Sequence, residues 1–127
     1  MAGTEEVEVG EGATTARDGA GAWPAGALVH VTTRAAWEHA LALGRYAPDS
    51  LAREGFVHLS APGQLPGTLS RFFAGQTGLV VLVLDQAALE ARAPGALRWE
   101  DPGEGQAFPH LYRALDPAEV REVRPLD

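Results

Sequence analysis

The sequence predicts an α+β domain built on a small twisted sheet, mixed or antiparallel, with helices packed against it. Apolar residues make up 46% of the 127 residues, which is enough for one core. The uninterrupted apolar run at 78–84 indicates a strand buried on both faces. Strand-like and helix-like segments alternate without a regular βαβ rhythm. We therefore predict a single α+β domain at 27–127.

The first part of the chain is predicted to hold a tail, a strand and a helix. Residues 1–26 contain one arginine and five acidic residues, a net charge of −4, and lack sustained periodicity, so we predict a disordered acidic tail. A strand is predicted at 27–32. Apolar residues at helical spacing, including Trp37, predict a helix at 33–43 that Gly44 can end.

The middle of the chain predicts two helical segments around two strands. After a loop, a single helical turn is predicted that Gly55 can end, and a strand is predicted at 55–60. A helix follows from about residue 61 to about residue 73, with Pro62 near its first turn, although Pro66 and Gly67 can shift its start to about residue 65. Leu65, Leu69, Phe72 and Phe73 are predicted to form its core face. The apolar strand at 78–84 then leads to a short helix at 85–91, capped by its aspartate.

The last third of the chain is predicted to contain three short strands. The first lies at 97–100, where Trp99 is expected in the core, and it is followed by a mobile loop rich in glycine. The second lies at 108–112, where Pro109 restricts it to a sheet edge or a bulge. An aspartate followed by proline starts one helical turn at 116–119, and a closing strand is predicted at 120–125.

Composition excludes several classes of function. The chain has no cysteine, which excludes disulfides, zinc–thiolate sites and thiol nucleophiles. Its ten basic residues are all arginine, which excludes lysine Schiff bases and a Walker-type lysine. A net charge of −7 argues against general nucleic-acid binding. No apolar run reaches the roughly 20 residues of a membrane span. We therefore expect a cytoplasmic monomer that binds a small molecule.

Three of the predicted strands each carry a histidine beside a hydroxyl group. Side chains two residues apart point to the same face of a strand, so each histidine shares a face with its neighbour. The three pairs are His30 with Thr32, His58 with Ser60, and His110 with Tyr112. We predict that the three histidines line one cleft. The fourth histidine, His39, is predicted to be an exposed residue of the first helix.

The sequence resembles the bacterial family catalogued as domain of unknown function 952 over about residues 28–125. Two motifs together carry the resemblance, at 55–60 and at 108–112. The matching residues are Leu28-Val29-His30-Val31-Thr32, Trp37, Tyr46, Gly55-Phe56-Val57-His58-Leu59-Ser60, Gln64, Trp99-Glu100 and Phe108-Pro109-His110-Leu111-Tyr112.

That family in turn resembles the ADP-ribosyltransferase superfamily, in particular its RNA 2′-phosphotransferase branch. The likeness lies in His30-Val31-Thr32 and Val57-His58-Leu59. It implies an ADP-ribosyltransferase-like fold, NAD as cofactor and transfer of an ADP-ribosyl group. The third position of the superfamily triad falls on Glu100 or on His110. The candidate catalytic residues are His30, His58, Glu100 and His110; the candidate cofactor-binding residues are Thr32, Tyr46, Ser60, Gln64 and Tyr112.

Each candidate has a chemical reason beside the resemblance. Histidines can donate to ribose hydroxyls or pyrophosphate, a tyrosine can stack on nicotinamide, and Glu100 can orient a nucleophile. Two alternatives stay open at this point. Three histidines facing one cavity would suit a zinc ion with an open position. Alternatively, the histidines satisfy buried hydrogen bonds in an interaction module without catalysis.

Overall fold

The computed structural model describes residues 22–126. Within them lie six β-strands, four α-helices and two 3₁₀ turns, which confirms the α+β class. The strands are β1 (Ala27–Thr33), β2 (Val57–His58), β3 (Leu79–Asp85), β4 (Leu97–Glu100), β5 (Phe108–Leu111) and β6 (Glu122–Pro125). The helices are α1 (Arg34–Leu43), α2 (Asp49–Glu54), α3 (Leu65–Phe72) and α4 (Gln86–Arg92), and the 3₁₀ turns are Pro62–Gln64 and Pro117–Glu119.

The strands form two three-stranded antiparallel sheets. The first sheet has the order β1-β3-β6 and the second has the order β2-β5-β4. The two sheets meet where Val29 and Ser60 exchange backbone hydrogen bonds of 2.8 Å. This bridge brings the first histidine strand beside the second, and β5 lies on the other side of β2.

The central strand β3 is buried along almost its whole length, as the apolar run predicts. Its side chains alternate between two core clusters, because successive residues of a strand point to opposite faces. Val80, Leu82 and Leu84 belong to the larger cluster, whereas Leu79 and Val81 belong to the smaller one. The first sheet is therefore covered on both faces.

The positions where two of the helices begin or end are explained by the residues that cap them. The Thr33 hydroxyl accepts a 3.0 Å hydrogen bond from the Ala36 amide at the start of α1. Gly44 ends that helix with φ 79°, a left-handed conformation that favours glycine. Gly55 does the same for α2 with φ 93°, and the chain turns there into β2. The second histidine strand thus begins directly after a helix end.

Several predicted boundaries were wrong by a few residues. Regular pairing of β2 covers only Val57–His58 instead of 55–60, because Gly55 still caps α2 and the chain then turns to the bridge at Ser60. The helix that ends near residue 73 begins at Leu65, the later of its two predicted starts, and a 3₁₀ turn precedes it. The closing strand starts at Glu122 because a 3₁₀ turn precedes it.

Two aromatic residues that were predicted in the core are exposed instead. Phe72 is 61% exposed although Leu69 and Leu65, one and two turns earlier, are buried. Trp99 was also expected in the core as part of β4, and it is 43% exposed. Both lie at places where an apolar face meets solvent.

The predicted tail at 1–26 lies mostly outside the described residues, so its disorder stays a prediction. Of the described part, Trp23 packs partly against the smaller core cluster. The Arg124 guanidinium lies over its ring, 4.1 Å from the ring centroid. Within residues 22–126, no helix is both long and apolar enough to span a bilayer.

Candidate functional site

A cavity of about 500 Å³ opens where the two sheets meet. This volume lies within the range of about 300–1,000 Å³ that is usual for small-molecule sites. All three strand histidines line it, together with aromatic and aliphatic side chains. The lining residues are His30, Val31, Glu54, His58, Leu59, Ser60, Thr68, Phe72, Phe73, Pro102, Glu104, Phe108 and His110.

His30 is a buried histidine whose two ring nitrogens both have partners. Nδ1 lies 2.6 Å from the backbone oxygen of His58, and Nε2 lies 2.6 Å from the Tyr46 hydroxyl. Since a carbonyl oxygen only accepts, Nδ1 carries the proton and Nε2 accepts from Tyr46. Burial lowers the pKa of His30 to about 4, so the ring is neutral at pH 7. This geometry joins β1 to β2 and leaves His30 no nitrogen for a ligand.

His110 is also buried, and the described part of the chain bonds one of its two ring nitrogens. Its Nδ1 donates to Glu100 Oε1 at 2.9 Å, and the Tyr112 hydroxyl donates to the same oxygen at 2.6 Å. Hydrogen bonds from Tyr112 and from His110 hold the pKa of Glu100 below its usual value, so Glu100 stays ionised at neutral pH. Among the described residues, no hydrogen bond engages Nε2 of His110. Because the proton at Nδ1 is the one that bonds Glu100, the lone pair of the imidazole lies at Nε2.

The orientation of the His110 ring is held from a second side. The Phe56 ring stacks on it with centroids 4.0 Å apart and an interplanar angle of 19°. Phe56 also approaches Tyr112 at 5.1 Å. Arg98 lies over the Tyr112 ring, 4.4 Å from its centroid. An aromatic stack and a carboxylate together hold the imidazole, which is the support that a catalytic base requires.

His58 lies opposite His110 in the antiparallel pairing of β2 and β5. The two ring centroids are 5.5 Å apart. Nε2 of His58 donates to Glu54 Oε1 at 3.0 Å, and its side chain is 52% exposed. No hydrogen bond to Nδ1 of His58 comes from residues 22–126. Two histidines, each held by a carboxylate through one nitrogen, thus lie side by side at the cavity.

Of the other predicted site residues, Ser60 lines the cavity and the remaining five do not, although most of those five contact residues that do. Glu100 accepts a hydrogen bond from His110, and Tyr112 donates to the same carboxylate oxygen. Tyr46 is buried in the larger core cluster, so it is not available to stack on a ligand. Thr32 is buried beside Tyr46 and its hydroxyl bonds that tyrosine. Gln64 is a structural residue, as its contacts show.

The Gln64 amide connects the 3₁₀ turn to the loop after β4. Its oxygen accepts from the Ala61 amide at 2.9 Å, and its nitrogen donates to the Ala107 carbonyl at 2.8 Å and to Gln106 at 3.1 Å. These bonds use the Gln64 amide within the fold, and Gln64 is not among the residues that line the cavity, so its predicted contact with a ligand stays a prediction. Ser60 does line the cavity, and its hydroxyl lies 3.0 Å from that of Thr68.

Sequence reasoning missed the carboxylate partner of His58 and the aromatic neighbours. Glu54 lies four residues before His58, but the helix ends between them, so no helical spacing indicated the pair. The Phe56 stack on His110 follows from the face that Phe56 shares with His58, a signal that was present in the alternation. Phe72, Phe73 and Glu104 reach the cavity only through tertiary packing.

The described lining of the cavity contains carboxylates and no arginine. Among the described residues that line it, Glu54 and Glu104 are acidic and none is an arginine. Arg71 pairs with Glu104 outside the lining. Across residues 22–126, no group of three or more histidine, aspartate or glutamate side chains is arranged to hold a metal ion. Because His30 also has no free nitrogen, this geometry does not support the three-histidine metal alternative.

Chemical labelling distinguishes the three cavity histidines. Diethyl pyrocarbonate acylates an imidazole nitrogen that has a lone pair and is accessible, so we expect fast modification of half-exposed His58, slow modification of buried His110 through the cavity, and protection of His30, whose two nitrogens are both bonded. His39 lies exposed on α1 and serves as the internal positive control. Peptide mass spectrometry after brief labelling measures each site. Labelling of His30 at the rate of His39 would contradict the two hydrogen bonds assigned to its ring.

The chain is similar in sequence to one protein family and in structure to solved proteins. The family model described as "Protein of unknown function (DUF952)" matches residues 31–123. The crystal structure of protein CC0527 from Caulobacter crescentus is 37% identical with a TM-score of 0.67, and the match covers 76% of this chain and 82% of that chain. The solution NMR structure of CC0527 is 38% identical with a TM-score of 0.67, covering 80% and 84%. No curated protein matches the chain.

Proposed function

The chain belongs to the DUF952 family, and we propose that its cavity binds a nucleotide such as NAD and catalyses ADP-ribosyl transfer. The observation that carries this proposal is the His110–Glu100 pair beside an apolar cavity. A base with a lone pair at Nε2, held by an ionised carboxylate, suits activation of an acceptor hydroxyl. The proposed relation of the fold to ADP-ribosyltransferases rests on the motifs around His30 and His58.

The cavity has room for a nicotinamide ring and its ribose, while the adenosine half would extend through the mouth. Phe72, Phe73 and Phe108 offer apolar walls for the ring. Glu54 and Glu104 favour the positive charge that nicotinamide carries in NAD and that the sugar develops as the glycosidic bond breaks. The hydroxyl of Ser60 and the free nitrogen of His58 suit the ribose hydroxyls.

The proposed transfer needs no metal ion and no second cofactor. Nε2 of His110 takes the proton of the acceptor hydroxyl as the acceptor oxygen bonds to the anomeric carbon. The carbon–nitrogen bond breaks, and its electron pair stays on nicotinamide, which leaves as a neutral pyridine. The products are the ADP-ribosylated acceptor, nicotinamide and one proton on His110. Water serves as the acceptor when no other is present.

Calorimetric titration with NAD tests binding, and release of nicotinamide tests the reaction. We expect the wild-type protein to bind NAD and His58→Ala to weaken binding by about 10-fold, about 1.4 kcal/mol. We expect His110→Gln to keep most of the binding and to lower nicotinamide release by about 100-fold, the usual scale for one general base. His39→Ala, a change at an exposed histidine on α1, is the matched control. Absence of heat at millimolar NAD would refute the proposed ligand.

A further inference from the structure

ADP-ribosyl transfer gives the second carboxylate-held histidine, His58, a binding role but no proton to transfer. Nicotinamide leaves as a neutral molecule and needs no proton, so one base is sufficient for that reaction. Yet His58 and His110 lie with centroids 5.5 Å apart, each bonded to its own glutamate through one nitrogen. A pair of this kind is typical of reactions that remove a proton at one atom and deliver one at another.

The charges of the lining indicate the sign of the transition state that the cavity stabilises. Phosphate and ester transfer develop negative charge, which enzymes stabilise with arginine, lysine or metal ions. The described lining contains no arginine, and the whole chain has no lysine. It contains two carboxylates instead, Glu54 and Glu104, of which Glu104 is paired with Arg71 outside the lining. Carboxylates favour the positive charge of a sugar carbon during glycosidic cleavage.

We propose that this cavity hydrolyses uncharged glycosides or nucleosides, with His110 as the base and His58 as the acid that protonates the leaving group. The walls formed by Phe72, Phe73 and Phe108 suit the aromatic aglycone of such a substrate. This activity goes beyond ADP-ribosyl transfer and does not require NAD, so the glycoside assay and the NAD titration can fail separately.

The roles follow from the surroundings of the two rings. His110 is buried and its Nδ1–H is held by ionised Glu100, so Nε2 is a directed acceptor for a proton from water. His58 is half exposed and can regain its proton from solvent after each turnover. Water loses a proton to His110 and bonds to the anomeric carbon. The bond to the leaving atom breaks, and that atom takes the Nδ1 proton of His58, which enters the step with a proton on each ring nitrogen and keeps the one that bonds Glu54.

A matched pair of ribosides separates the acid from the base. 4-Nitrophenyl riboside has a leaving group that departs without a proton, whereas phenyl riboside has the same sugar and a leaving group that benefits from one. We expect the wild-type protein to release the phenol from both. His58→Ala should lower turnover of the phenyl compound by about 100-fold and that of the nitrophenyl compound by less than about 3-fold. His110→Gln should lower both by about 100-fold.

Two further variants complete the assay. Glu100→Gln keeps the His110 ring and removes its anionic partner, so we expect it to lower turnover of both ribosides by about 10-fold or more. His39→Ala should change neither. His58 is half exposed, so its removal leaves the core intact, and circular dichroism checks this. Failure of the wild-type protein to hydrolyse either riboside at millimolar concentration would overturn the proposal, as would an equal loss on both substrates in His58→Ala.

Discussion

Replacement of Leu82 by alanine is expected to lower the free energy of unfolding by about 3 kcal/mol. Leu82 is fully buried at the centre of β3, between His30 of β1 and Val123 of β6. The truncation loses the transfer free energy of the removed carbons. It also leaves a cavity that two flanking strands, both hydrogen-bonded to β3, cannot close. Urea unfolding followed by circular dichroism measures the change.

The chain offers matched controls for this experiment. Leu41 and Leu43 undergo the same chemical change when replaced by alanine, but they are 54% and 62% exposed. Their replacement is expected to change the free energy of unfolding by less than about 0.5 kcal/mol. If Leu82→Ala behaved like these surface variants, the central position of β3 would be wrong.

Acidification is expected to destabilise the protein through His30. The folded pKa is about 4 and the ordinary value is 6.5, so the unfolded chain binds the proton more tightly. The stabilisation is therefore fully present above pH 6.5 and is lost as the pH falls toward 4. The shift corresponds to a loss of about 3 kcal/mol between pH 7 and pH 4, at about 1.4 kcal/mol per pH unit.

The comparison with His30→Gln isolates this contribution. Carboxylates such as Asp116 and Glu119, whose pKa values lie below their usual range, also weaken the fold in acid and remain in both proteins. We expect the stability of wild type to fall by about 3 kcal/mol more than that of His30→Gln over the same pH interval. His39→Gln should follow the wild-type curve. Parallel curves for wild type and His30→Gln would show that burial of neutral His30 contributes nothing.

Much of the fold was predictable because its signals are local. The run at 78–84 could only be a strand covered on both faces, and β3 lies at the centre of its sheet as predicted. Gly44 and Gly55 were recognisable helix ends, and both have the positive φ that this role requires. Exposure of Phe72 and Trp99 was not predictable, since helical or strand periodicity does not say where a neighbouring element stops.

The sequence by itself determined the α+β class, the order of the elements and the strand face of each histidine, because the period of a strand is written in successive residues. Only the tertiary structure decided what each ring nitrogen contacts. Tyr46 and a backbone oxygen occupy both nitrogens of His30, whereas Glu100 occupies only one of His110. These partners lie 10–28 residues away in the chain, and their distances depend on how two sheets and their loops pack together.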